Sequence, residues 1–92
     1  MKEVSLVELT SPGCHNCAAF KAFWEEEQKN WPNVKFQEVS LIEADGQELV
    51  QKHQIFASPG IIINDELFST GGVNQDDFKK KLDEVSQEQY YN

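Results

Sequence analysis

The stretch Ser11-Pro12-Gly13-Cys14-His15-Asn16-Cys17 holds both cysteines of the chain, in a C-x-x-C arrangement. The apolar run Val4–Leu9 precedes it and predicts a buried strand that Glu8 interrupts with one carboxylate. Ser, Pro and Gly at 11–13 are turn-forming residues, and from His15 the apolar residues recur at helical spacing. The two cysteines are therefore expected at the start of a helix that directly follows a strand.

Outward from this stretch, the pattern predicts the order β-α-β-α-β-β-α. The first helix carries an apolar stripe and ends where Asn, Trp and Pro follow one another at 30–32. The later predicted elements are a strand at 34–39, a helix from a capping box at Asp45 and Glu48 to His53, a strand at 60–63, a hairpin-paired strand at 66–70 after an Asn64-Asp65 turn, and a helix capped by Asn74. The expected core side chains of the helices are Phe20, Phe23, Trp24, Trp31, Phe78, Leu82 and Val85.

This order predicts one α/β domain over residues 1–92, with a central four-stranded mixed sheet and helices on both faces. Residues 86–92 are predicted to form a polar C-terminal tail, in which Tyr90 and Tyr91 have no core to enter. There is no internal repeat and no stretch with the composition of a linker.

The charge of the chain excludes several classes of partner. Sixteen acidic and eight basic side chains give a formal net charge of −8 over 92 residues. Nucleic acid and anionic membrane surfaces would repel such a protein. No apolar run is long enough to span a bilayer, and Glu8 interrupts any signal-peptide core near Met1. We therefore expect a cytoplasmic protein that binds neither nucleic acid nor membrane and that is a monomer.

The position of the cysteines favours redox chemistry. The N–H groups of a helix's first turn and the helix dipole stabilise a thiolate on Cys14, and the thiolate is the species that attacks a disulfide. Cys17 lies one turn further along, close enough to close a ring with Cys14. His15 can add positive charge when it is protonated. We expect Cys14 to be the exposed attacking cysteine and Cys17 the shielded resolving one.

Two further motifs identify a resemblance. Ala57-Ser58-Pro59-Gly60 stands just before the third strand, and Gly71-Gly72 follows the hairpin. With C-x-x-C at a helix start, they make the chain resemble the thioredoxin/glutaredoxin superfamily over nearly its whole length. The resemblance implies a thioredoxin-like fold, a cis peptide bond before Pro59, and a substrate-binding edge formed by Gly13, Ser58, Pro59, Gly71 and Gly72.

Within the superfamily, the chain resembles a small thioredoxin on a glutaredoxin-sized scaffold. Glu8 stands six residues before Cys14, where thioredoxins have a buried aspartate, so the resemblance implies that Glu8 is a proton acceptor. Glu38 is the nearest match for the lysine that accompanies that aspartate. Glutaredoxins carry a lysine at the place of Ser11 and an acidic pair at the place of Asn74 and Gln75.

These differences bear on the electron donor. Glutathione is an anion-bearing tripeptide whose recognition needs positive charge. The nearest basic residue in sequence, Lys21, is expected to point outward from the first helix. We therefore expect a thioredoxin-reductase-like flavoprotein, rather than glutathione, to reduce the Cys14–Cys17 disulfide.

The predicted function is thiol–disulfide oxidoreduction on protein disulfides, with no cofactor, because the chain has no G-x-G-x-x-G and is too short for a nucleotide site. One alternative is a glutathione-dependent glutaredoxin. Another is an iron–sulfur or zinc binding module of the same fold, since Cys14, Cys17, His15 and His53 could supply four zinc ligands. The plainest alternative is a pair of structural thiols.

Overall fold

The computed structural model describes residues 1–87, and its helices and strands follow the predicted order. In chain order they are β1 (Val4–Thr10), α1 (His15–Glu27) continued by a 3-10 turn (Gln28–Asn30), β2 (Val34–Ser40), α2 (Ala44–His53), β3 (Gly60–Ile63), β4 (Glu66–Thr70) and α3 (Gln75–Ser86). Most of the predicted tail, with Tyr90 and Tyr91, lies outside the described residues. Ser86 belongs to α3 rather than to the tail, and it is buried.

The sheet has the strand order β2-β1-β3-β4 and is mixed, as predicted. β1 and β2 are parallel, with Val4 opposite Val34 and Thr10 opposite Ser40. β3 runs antiparallel to both β1 and β4. A parallel pair needs a crossover, and α1 provides it. The carboxyl end of β1 therefore lies at the centre of one edge of the sheet, where the chain enters α1.

Helices cover both faces of the sheet, again as predicted. Alternate residues of β1 point to opposite faces. Val4 and Leu6 pack with α1 and α3, in a cluster completed by Phe20, Trp24, Ile61, Ile63, Phe78 and Leu82. Leu9 packs on the other face with Val39, Ile55 and Ile62, against the apolar side of α2. By this alternation, Glu8 points to the face that α1 covers.

The capping box predicted for α2 is wrong. The helix begins at Ala44, and the residue in the N-cap position is Glu43, whose side chain makes no capping bond. A backbone turn sets the start instead: the N–H of Glu43 donates to the carbonyl of Ser40 at 3.1 Å. Asp45 therefore lies inside the first turn, where its carboxylate interacts favourably with the helix dipole but does not cap the helix.

The predicted cap of α3 is confirmed. The side-chain oxygen of Asn74 accepts the N–H of Asp77 at 3.0 Å, and Asp76 and Asp77 occupy the first turn. Within residues 1–87, no helix has the length and apolar character that crossing a membrane requires.

Candidate active site at the carboxyl end of the first strand

Cys14 occupies the N-cap of α1. Its Sγ accepts the backbone N–H of Cys17 at 3.1 Å, so the sulfur takes the place that a serine or aspartate oxygen usually fills. The two cysteines are joined by a disulfide. Cys17 is buried, at 5% exposure, whereas Cys14 is partly exposed. One sulfur is therefore open to a second molecule and the other is shielded.

Ser58 and Pro59 lie against Cys14. Their peptide bond is cis, as the resemblance implied. The Ser58 hydroxyl donates to Cys14 Sγ at 3.4 Å and lies 2.7 Å from the Ser11 hydroxyl. The hydroxyls of Ser11 and Ser58, from separate loops, thus form a short hydrogen-bond chain that ends at the exposed sulfur of Cys14. Within the described residues, the backbone N–H and C=O of Ser58 make no hydrogen bond.

Gly71, of the Gly71-Gly72 pair, is hydrogen-bonded both to the loop of Ser58 and Pro59 and to the C-x-x-C segment. Its N–H donates to the carbonyl of Pro59 at 3.0 Å, and its carbonyl accepts the side-chain N–H of Asn16 at 2.8 Å. Its φ of +80° is one that glycine adopts without strain. Asn16 was not predicted as a site residue, because its partner is 55 residues away in sequence.

The remaining predicted residues of the substrate edge lie at the surface. Gly13 has a φ of +71°, which suits the turn from β1 into α1, and Gly72 is exposed. His15, the first residue of α1, is also exposed and lines an open depression over Cys14 and Cys17.

Glu8 is completely buried on the α1 face of the sheet. Neither of its carboxylate oxygens has a hydrogen-bond partner among the described residues. The pKa of Glu8 is raised from 4.5 to about 7: burial is the largest cause, the neighbouring Glu38 adds to it, and Lys21 opposes both. A carboxyl group that titrates near neutrality can both accept and return a proton at working pH.

Lys21 is exposed, as expected, but it also makes a contact that the sequence did not predict. Its Nζ lies 3.6 Å from a carboxylate oxygen of Glu38, and both side chains remain partly exposed. Together they line one wall of the depression that Cys14 and Cys17 also line. The sequence carried a signal for this position: Lys21 follows Cys17 by four residues, and residues at that spacing share one helix face.

The four ligands of the zinc alternative are not brought together. His53 ends α2 with its Nε2 3.9 Å from Asp65, in the turn between β3 and β4. The neighbouring Asn64 bonds to Ser5, at the end of β1 opposite to Cys14. In the part of the chain described, no three His, Cys, Asp or Glu side chains form a group that could hold a metal ion.

The raised pKa of Glu8 predicts how stability depends on pH. Because the folded protein binds this proton more tightly than the unfolded chain, Glu8 favours folding below about pH 4.5, and that contribution is lost as the pH rises towards 7. Glu8→Gln keeps the size and removes the charge. It should leave stability at pH 4 little changed and raise it at pH 8 by about 2–3 kcal/mol.

Urea unfolding of the oxidised protein between pH 4 and 8 measures this difference. Glu3→Gln is the matched control, since the Glu3 carboxylate is 71% exposed. Parallel stability curves for Glu8→Gln and the native protein would contradict the prediction.

Comparisons with known proteins agree with this geometry. The family model described as a thioredoxin domain matches residues 5–84. The oxidised thioredoxin of Plasmodium falciparum is similar over 94% of this chain and 84% of its own, with 21% identity and a TM-score of 0.69. Spinach chloroplast thioredoxin f is similar over 94% and 79%, with 13% identity and a TM-score of 0.75. No curated protein matches the sequence.

Proposed function

The chain belongs to the thioredoxin-domain family and is a thiol–disulfide oxidoreductase, and from this we propose that it reduces disulfides of other proteins through Cys14 as attacking and Cys17 as resolving cysteine. One observation carries the assignment: the partly exposed Cys14 sulfur accepts bonds from the first turn of α1 and from Ser58, whereas Cys17 is buried. Such donors stabilise a thiolate.

The reaction follows from this division. The Cys14 thiolate attacks one sulfur of the substrate disulfide, and the other substrate sulfur leaves as a thiolate that water protonates. Cys17 then gives its proton to the Glu8 carboxylate and attacks Cys14 Sγ. The bond between Cys14 and substrate breaks, and the second substrate thiolate is protonated. Two electrons pass to the substrate, and the product is the Cys14–Cys17 disulfide.

The substrate would bind along the loop of Ser58 and Pro59. The unpaired backbone groups of Ser58 can accept an extended segment as a short added strand. Gly13, Gly71 and Gly72 border this edge without side chains, so a substrate backbone can come close to Cys14.

Reducing equivalents would come from a thioredoxin-reductase-like flavoprotein. The groups that could meet the charges of glutathione are already occupied or uncharged. Ser11 bonds to Ser58, the Asn74 side chain caps α3, and Lys21 pairs with Glu38. The net charge of −8 also repels a small anion such as glutathione. At physiological salt this repulsion acts over about 8–10 Å, beyond which it is screened.

Steady-state reduction of a protein disulfide with each donor tests this proposal. We expect turnover with NADPH and a flavoprotein reductase, and little with glutathione and glutathione reductase. Efficient turnover with glutathione alone would place the protein with the glutaredoxins. No turnover with any dithiol or monothiol donor would contradict the oxidoreductase role itself.

The proposal describes a monomeric, single-domain protein that needs no bound cofactor and works in the cytoplasm. A reducing compartment fits the chemistry, since the Cys14–Cys17 pair must return to the dithiol after every turnover. Sedimentation of the native chain would test the monomeric state.

Ser58→Ala should weaken the attacking cysteine. Removing the hydroxyl that donates to Cys14 Sγ leaves the thiolate less stabilised, so the pH midpoint of Cys14 alkylation should rise by about 0.5–1 unit. Ser5→Ala, at an exposed position of β1, is the control. A midpoint that stays at the native value in Ser58→Ala would contradict a role of this hydroxyl.

A further inference from the structure

Two charged side chains act on Glu8, namely Glu38, which stands at the nearest match for the lysine of the resemblance, and Lys21 of α1. Glu38 is the register partner of Glu8 in the parallel pair of β1 and β2. It follows Val34 and Phe36 on the face that α1 covers. The cation comes instead from α1, whose Lys21 lies 3.6 Å from Glu38. The buried carboxyl of Glu8 therefore has a second carboxylate as its neighbour, and that carboxylate is paired with a lysine of α1.

We propose that Glu38 and Lys21 are opposed positioning residues, which together determine when Glu8 takes the proton of Cys17 in the resolving step. The proposal rests on the proposed role of Glu8 as proton acceptor. Neighbouring strands are about 4.8 Å apart, so two carboxylates at one register position on one face disfavour each other's ionisation. Lys21, which pairs with Glu38, offsets that repulsion.

Among residues 1–87, the other elements packed around Glu8 contribute no further charge that shifts its pKa. β3 places Ile61 opposite Glu8, and α3 contributes Phe78 and Leu82 to the same face of the sheet. On α1, Cys17 is uncharged in the disulfide, and His15 lies exposed at the helix start. Glu38 and Lys21 are also the two charges that shift the pKa of Glu8, one upward and the other downward.

Lys21 and Glu38 are placed so that they can influence the buried Glu8 while their own side chains remain in contact with solvent. Glu8 has no exposed surface and no hydrogen-bond partner in the described part of the chain, so nearby charges act on it with little screening. The side chains of Lys21 and Glu38 are 49% and 40% exposed and line the depression shared with both cysteines. A substrate covering that depression would strengthen the influence of both charges.

Opposite shifts in two variants test the proposal. The Glu8 carboxyl is followed by ¹³C NMR titration in the oxidised protein, and the rate of the Cys17 step is followed by the second, reagent-independent release of thionitrobenzoate from Ellman's reagent. In Glu38→Gln both pH midpoints should fall by about 0.5 unit or more, and in Lys21→Met both should rise by a similar amount. The double variant should return close to the native midpoints.

The controls are Glu3→Gln and Lys35→Met. Their ion pair, 3.5 Å long, joins β2 to the residue just before β1, at the end remote from Cys14, and breaking it should move neither midpoint. Lys21→Met and Glu38→Gln midpoints that stay fixed, or that move in one direction, would overturn the proposal. Carboxyl midpoints that move without the Cys17 rate would also overturn it.

These outcomes are distinct from failure of the proposed function. The carboxyl titration needs no catalytic turnover, so it reports on the pair even in a protein that reduced no disulfide. Conversely, the native protein could reduce disulfides while the Glu8 titration midpoint stayed unchanged in both variants. That result would leave the proposed function standing and refute the proposed role of Glu38 and Lys21.

Discussion

Replacing Cys14 with serine is expected to abolish disulfide reduction, with a loss of at least about a thousandfold in turnover. A serine hydroxyl at the same N-cap keeps the bond from the Cys17 N–H but cannot form a thiolate near neutral pH. The fold should persist, because serine is a favourable N-cap residue. Steady-state reduction of a protein disulfide measures the loss, and Ala18→Ser, an exposed change on the same helix, should leave turnover intact.

Cys17→Ser gives the complementary result. The attack by Cys14 should still occur, but the resolving sulfur is missing, so a disulfide between Cys14 and the substrate should accumulate to about one per chain. Mass spectrometry without reducing agent detects this species. If Cys14→Ser trapped the substrate and Cys17→Ser did not, the roles of the two cysteines would be reversed.

The order of elements and the helix-start position of the cysteines could be predicted, because both depend on local features. β1 and β3 are short apolar runs bounded by turn residues, and α1 and α3 carry apolar stripes at helical spacing. The cis bond at Pro59 followed from the resemblance, since most X–Pro bonds are trans.

What the sequence did not predict depends on contacts distant along the chain. The start of α2 follows a backbone bond to Ser40 rather than a side-chain cap, so the pattern at Asp45 and Glu48 was misleading. The bond between Asn16 and Gly71 requires the hairpin to close over α1. The pairing of Lys21 with Glu38 was not predicted, because nothing in the sequence around Lys21 reveals that β2 presents Glu38 beside it.

The raised pKa of Glu8 explains how this buried acid can remain in a small core. Within residues 1–87, Glu8 has no hydrogen-bond partner, which is costly for an ionised group. Its raised pKa lessens the cost, because the neutral form predominates below about pH 7. The chain therefore accepts lower stability at alkaline pH at the position where the proposed reaction needs a proton acceptor.

Gly46→Ala is expected to destabilise the protein strongly, although alanine is the better helix former. Gly46 is buried and lies in the first turn of α2. A Cβ at this position would overlap the carbonyl oxygen of Ser40 and lie 2.8 Å from the carbon of that carbonyl. Both atoms belong to the backbone at the end of β2, so the strand or the helix has to move.

The two opposing effects can be ranked by size. Helix propensity favours alanine over glycine by about 1 kcal/mol. Overpacking costs about 1–3 kcal/mol and occasionally more, and the upper end applies here because the contacted atoms are backbone, which cannot turn aside as a side chain can. The clash should win, and the free energy of unfolding in urea should fall by at least about 2 kcal/mol. Gly72→Ala is the matched control, because a Cβ there meets nothing within 4 Å. A Gly46→Ala protein as stable as Gly72→Ala would show that α2 can move away from Ser40 at little cost.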